Sequence, residues 1–240
     1  MFNSFLLIGL PYAAILIFLI GSILRITYYG YSVTSHSSQF LESKKLFWGS
    51  RLFHSGIVVL LTGHLIGFLM PKSIILITAK PLWLMVIEVS AFAFGIITFT
   101  GILLLIIRRI TVKRLHGVTS TMDLVVYFII FTQVITGLLV AYFHRWGTSW
   151  YASALVPYLK SIFTLNPDIS VITTMPLLIR LHAISAFLFL GLIPFTRLMH
   201  FLVYPINYLR RRVQLVIWNR DQKESRASRN MREGVKPRNN

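Results

Sequence analysis

Residues 52 to 67 read "LFHSGIVVLLTGHLIG", a run that is apolar nearly throughout and carries two histidines, His54 and His64, ten positions apart. A run of this kind is built to lie in hydrocarbon. An imidazole placed there faces the protein interior and marks a function, unless a carbonyl satisfies it. The reading of the chain turns on what binds these two rings.

The same pattern extends outward. Of 240 residues, 55% are hydrophobic and 13% are charged, and the mean hydropathy of +0.71 excludes an ordinary soluble domain. Crossing a bilayer core of about 30 Å takes about 20 helical residues, and runs of that length recur near residues 5–25, 52–70, 82–107, 122–143 and 175–203. The fold class is therefore all-α, an integral membrane bundle of five transmembrane helices. The first run lacks a basic leader and a small-residue cleavage site, so it is read as a retained span. Cysteine is absent, which excludes disulfides, thiolate metal ligands and covalent haem attachment.

The net charge of +17 is a matter of topology and carries no sign of nucleic-acid binding. Four Lys/Arg fall between Arg25 and Arg51, four between Arg108 and Arg114, and ten in the tail from Arg210 to Arg238. The opposite side has Lys72, Lys80, Arg145 and Lys160. The positive-inside rule puts the N-terminus outside and the C-terminus in the cytoplasm of a multi-pass protein of the cell membrane. Residues 1–204 form the membrane domain and 205–240 a basic cytoplasmic tail. Within that tail "NYLRRRVQLVIWNR" suits an amphipathic helix on anionic lipid or a partner. Between spans four and five, "WYASALVPYLKSIF" suits a short interfacial helix.

Seven histidines are present. His36, His116 and His144 fall in loops or at a helix end. His54 and His64 lie in span two, and His182 and His200 in span five. At about 1.5 Å and 100° per residue, His54 and His64 are about 15 Å apart along their helix and differ by about 80° in azimuth. In a continuous span five, His182 and His200 share one face about 27 Å apart, so the two spacings differ by about 12 Å. Spans two and five run antiparallel, which pairs His54 with His200 at the inner end and His64 with His182 at the outer end. Two imidazoles fall short of the closed tetrahedral set that zinc prefers. Haem iron needs only two axial ligands, and histidine is a common one. Gly56, Gly63 and Gly67 leave room for a flat macrocycle or serve ordinary helix packing, and Arg180 and Arg197 either pair with its propionates or snorkel to the interface.

At this point the stretches "SSQFLESKKLFWGSRLFHSGIVVLLTGHLIGFLMP" and "IRLHAISAFLFLGLIPFTRLMHFLVYPINYL" resemble the gamma subunit of respiratory nitrate reductase, a five-span dihaem cytochrome b. The likeness runs from Pro11 to Arg212. It implies two haem b groups, the outer on His64 and His182 and the inner on His54 and His200. It also implies quinol, drawn from the membrane quinone pool, as the substrate oxidised near the outer face. Electrons then pass to a cytoplasmic iron-sulfur subunit and on to a molybdenum catalytic subunit, which holds the nitrate-reducing site. The family's basic or imidazole group near the start of span three has no clean equivalent in "TAKPLWLMVIEVSAF", where Lys80 falls early. Glu88, about six residues or 9 Å into that span, is either a protonated acid hydrogen-bonded to a neighbouring helix or the group that accepts a quinol proton in its stead.

Other readings keep the electron-transfer role and change the soluble partner, to a nitrite oxidoreductase, a heterodisulfide reductase or a sulfur-metabolism complex. Histidines lining a transport path, or a haem-free anchor, are separate classes. A transporter more often carries midplane carboxylates and broken helices, and this chain has only Glu88 and Asp123 within or at the edge of its spans.

Overall fold

The computed structural model describes residues 4–28, 42 and 44–202. Within them, five helices are long and apolar enough to cross a membrane: Phe5–Tyr28, Lys45–Leu69, Pro81–Thr111, Thr121–Phe143 and Leu177–Phe195. The expected tail beyond Pro205, and the polar loop holding His36, lie outside the described residues.

The first span opens with a π-helical turn, Phe5–Gly9, and continues as α1 (Leu10–Tyr28). Helix α2 (Lys44–Leu69) starts before its apolar run because the Glu42 carboxylate caps it, accepting from the amides of Lys45 at 2.7 Å and Leu46 at 3.2 Å. It stops at Pro71, whose missing N–H ends one helix and suits the first position of the next, α3 (Pro71–Thr78). Pro81 starts α4 (Pro81–Thr111) in the same way. Helix α5 (Thr121–Phe143) begins with a reciprocal capping box between Ser120 and Asp123.

The segment after α5 is helical from Gly147 to Phe163, through a short turn, a π turn and α6 (Val156–Phe163). The stretch expected to form a short helix does form one. Tyr158 and Tyr12 tie it to α1, through Tyr158 Oη to the Leu7 carbonyl at 2.8 Å and Tyr12 Oη to the Ile162 carbonyl at 3.1 Å. Leu7, Leu155, Tyr158, Ile162, Ile172 and Ala183 make the apolar cluster at that end.

The long helices pack in an open arc: α2 on α4, α4 on α5, α5 on α7 (Leu177–Leu192), and α7 on α1. The α2–α4 crossing is close because Gly56 meets Thr98 and Phe94, and Gly101 meets the Phe53 backbone, where any Cβ would collide. The arc ends at α2 and α1, and α2 and α7 face each other without extended packing between them.

One expectation is corrected here. Span five does not run unbroken from 175 to 203. Helix α7 ends at Leu192 and gives way to a 3-10 turn, Ile193–Phe195. Thr196 is then extended at φ −117°, ψ 172°, and a second 3-10 turn, Arg197–Met199, leads to His200. Pro194 withholds a backbone N–H and so weakens the helix there. The carbonyls of Pro194 and Thr196, left without helical partners, both accept from the Arg25 guanidinium of α1, the latter at 3.0 Å.

Candidate haem-binding site

The break brings His200 to His54. Their ring centroids lie 6.4 Å apart, and those of His64 and His182 lie 6.5 Å apart. The structure thus brings together the same two pairs as the antiparallel spans predict, and both close to nearly the same separation. A straight span five would have left the about 12 Å mismatch in helix rise to be absorbed elsewhere.

Each ring is oriented by its Nδ1. His54 Nδ1 lies 2.8 Å from the Ser50 carbonyl, His64 Nδ1 2.8 Å from the Leu60 carbonyl, and His200 Nδ1 2.9 Å from the Arg197 carbonyl. A carbonyl only accepts, so in each ring Nδ1 carries the proton and Nε2 keeps its lone pair. His182 Nδ1 lies 2.9 Å from Thr136 Oγ1, which is itself 2.8 Å from the Thr132 carbonyl as donor. Thr136 therefore accepts from His182, and this ring has the same tautomer.

The geometry fits an iron held by two imidazoles. With each bond about 2 Å and each ring nitrogen about 1 Å from its ring centre, the centroids would stand about 6 Å apart. No group of three or more His, Cys, Asp or Glu side chains gathers among the described residues, and the histidines come in twos. Gly63, beside His64, faces open space: among the described residues nothing lies within 4 Å of where a Cβ would stand.

The other two glycines follow the packing alternative. Gly56 admits α4, and Gly67 admits the Tyr151 ring, which a Cβ would meet at 2.8 Å. Neither makes space for a macrocycle. Tyr151 instead braces the His64–His182 pair: its Oη donates to the His64 carbonyl at 3.1 Å, and its ring centroid is 5.5 Å from that of His64. Burial pushes the Tyr151 phenol up to about 12, so it stays a donor at physiological pH.

Arg180, two residues before His182, has a buried Nε without a hydrogen-bond partner among the described residues. A buried, unpaired guanidinium nitrogen there fits a carboxylate, and Arg109 Nε is unpaired in the same way. Arg197 is engaged otherwise, its Nε lying 3.4 Å from the Asp123 carboxylate on α5. Glu88 Oε1 accepts from the Thr148 amide at 2.7 Å and from the Thr148 hydroxyl. It thereby caps the turn that leads into Tyr151, which ties Glu88 to the segment that braces His64. Lys80 is exposed at the N-cap of α4 and makes no ion pair with Glu88. His116 and His144 stand apart from the pairs: His116 bonds the Ile110 carbonyl, and the His144 carbonyl accepts from Trp150.

Four residues that bear on the pairs carry no histidine-like signal in the sequence: Arg25, Thr136, Gly137 and Gln133. Gly137 leaves room for the His182 ring, whose Cε1 would be 3.0 Å from a Cβ there, and Gln133 Nε2 lies 3.3 Å from His182 Nε2. Spacing gave a signal for these three, since 133, 136 and 137 share one helix face.

The fold and site define a class: a five-span membrane protein with two histidine pairs bridging its second and last spans. The model of the family described as nitrate reductase gamma subunit matches residues 3–219. The chain is 32% identical over 222 residues to the respiratory nitrate reductase 1 gamma chain of Escherichia coli (strain K12), covering 89% of this chain and 96% of that one. It is 31% identical to the respiratory nitrate reductase 2 gamma chain of the same strain, over 86% of this chain and 92% of the relative. The nitrate reductase gamma chain of Bacillus subtilis (strain 168) is 29% identical, over 84% of this chain and 92% of its own length. The chain belongs to the nitrate reductase gamma subunit family.

Proposed function

We propose that this protein is the membrane cytochrome b subunit of a nitrate reductase-type complex, oxidising quinol at the His64–His182 end and delivering electrons at the His54–His200 end. The observation that carries the reading is the pair of cross-helix histidine contacts at 6.4 and 6.5 Å, every ring with its Nδ1 proton tied off. Two haem b groups held there would supply one-electron chemistry at two depths of the bilayer. The residues of this chain do the rest. The four Nε2 atoms provide axial ligands, Gly63 leaves space beside one of them, and Arg180 offers its unpaired Nε to a propionate. Arg197, already paired with Asp123, is the weaker candidate for that task.

The resemblance supports quinol as the substrate, and the position of Glu88 supports a proton acceptor at the His64 end. Both Thr148 donors go to Oε1, so Oε2 is the oxygen offered to a quinol proton. Lys80, at the start of the same helix, is the second candidate group. The distribution of Lys and Arg supports an outer N-terminus and a cytoplasmic C-terminal tail. The tail is then positioned to meet anionic lipid and the iron-sulfur and molybdenum subunits.

Haem per chain tests the reading. His64→Ala or His182→Ala should each remove one haem, and His54→Ala or His200→Ala the other, while the parent shows a two-haem reduced-minus-oxidised spectrum. The pairing is wrong if His54 and His182 prove to share an iron.

A further inference from the structure

Three of the four site histidines anchor Nδ1 on a backbone carbonyl of their own segment, one turn earlier. No side-chain substitution can delete such an acceptor. His54 Nδ1 also lies 3.2 Å from the Ser50 hydroxyl of its own segment, but His182 alone of the four has no carbonyl at Nδ1 and rests on a side chain of another helix, Thr136 of α5. The Thr136 proton is committed to the Thr132 carbonyl at 2.8 Å, with the Gln133 carbonyl at 3.2 Å, so toward His182 the hydroxyl has only a lone pair to offer.

The rest of that face of α5 is fitted to the same ring. Gln133, Thr136 and Gly137 stand at i, i+3 and i+4 and so form one patch. Gly137 lets the ring sit against bare backbone. The Gln133 amide is held by the Ser185 hydroxyl, one turn beyond His182 on α7, and its nitrogen lies near His182 Nε2. That contact uses the same Nε2 lone pair that an iron would take, so Gln133 would have to turn away when the ring ligates.

We propose that Thr136 is a positioning residue that sets the donor strength of the His182 imidazole, and so tunes the potential of the outer haem independently of the inner one. The inference rests on the haem reading above. An acceptor at Nδ1 raises the basicity of the metal-facing nitrogen and favours the oxidised, more positively charged iron. Removing the acceptor makes reduction easier, so the potential of that haem rises. The inner haem, whose two ligands both rest on backbone carbonyls, does not respond.

The test is a redox titration, followed by visible spectra and haem per chain, on the intact complex carrying Thr136→Val or Thr136→Ser. Repeating each in a His54→Ala background assigns the outer haem. Thr136→Val should move the outer potential to more positive values and leave the inner one in place, while Thr136→Ser stays at the parental value. Loss of the outer haem in the valine variant, with retention at the parental potential in the serine variant, supports the same conclusion. Unchanged potentials in Thr136→Val overturn it. So does equal behaviour of the two variants, because the γ-methyl and not the hydroxyl would then be what matters. A parent protein without a haem spectrum would defeat the underlying reading instead, whatever the variants do.

Discussion

Glu88 is the carboxylate well inside a span, and its surroundings give it two competing uses. As a cap, it holds the turn that carries Tyr151 to His64. As an acid-base group, it would take a proton when quinol is oxidised. Glu88→Gln separates the two, because the amide oxygen still accepts from Thr148 while the group no longer titrates. Both haems should remain and dithionite should still reduce them, whereas quinol turnover should slow about tenfold or more. Turnover within about twofold of the parent, well short of that usual effect, would leave Glu88 as a cap alone. At this scale the sequence is legible where chemistry is rare. Four imidazoles in apolar runs point to a ligand whatever the packing. It is illegible where one residue type serves two purposes: Gly56, Gly63 and Gly67 look alike in one dimension, and only their neighbours show that two of them admit protein and one does not.

Among the elements, the broken fifth span decides whether the His54–His200 pair can form. Pro194 is visible in the sequence as a helix breaker, yet the run around it is so apolar that continuity from 175 to 203 is the natural expectation. The compensating partner is invisible there, because Arg25 belongs to the first span and reads as a charge marking a membrane boundary. Its guanidinium satisfies two carbonyls that would otherwise be left without donors. Hydrogen bonds from a charged group are worth about 1.5–3 kcal/mol, so Arg25→Ala should loosen the turn that delivers His200. On heating in detergent, the variant should release its inner haem at a lower temperature than its outer one. Release of both at parental temperatures would show that the break supports itself.

The whole molecule is held at its His54–His200 end by a charged pair as well as by packing. Arg108, only 2% exposed, reaches Glu42 through Nε at 2.7 Å and the Glu42 carbonyl through Nη2 at 2.9 Å. This links the start of α2 to the end of α4. Burial pushes the Glu42 carboxyl up, but hydrogen bonds from the Lys45 amide, Arg108 and the Leu46 amide outweigh it and hold the group below its usual 4.5. A depressed carboxyl gives its full stabilisation above about 4.5 and loses it as pH falls through the folded value. Thermal midpoints of the parent and Glu42→Gln should therefore differ most near neutrality and converge in acid. A gap that stays constant down to pH of about 3 would assign the effect to shape and not to charge. The open arc has a different consequence, which concerns synthesis. The histidine pairs are shared between the second helix inserted and the segment of the last, so a ribosome still making the fourth span has delivered only half of either histidine pair. Under the proposed haem reading, the two ligands of either pair come together only after the fifth span has been threaded into the bilayer.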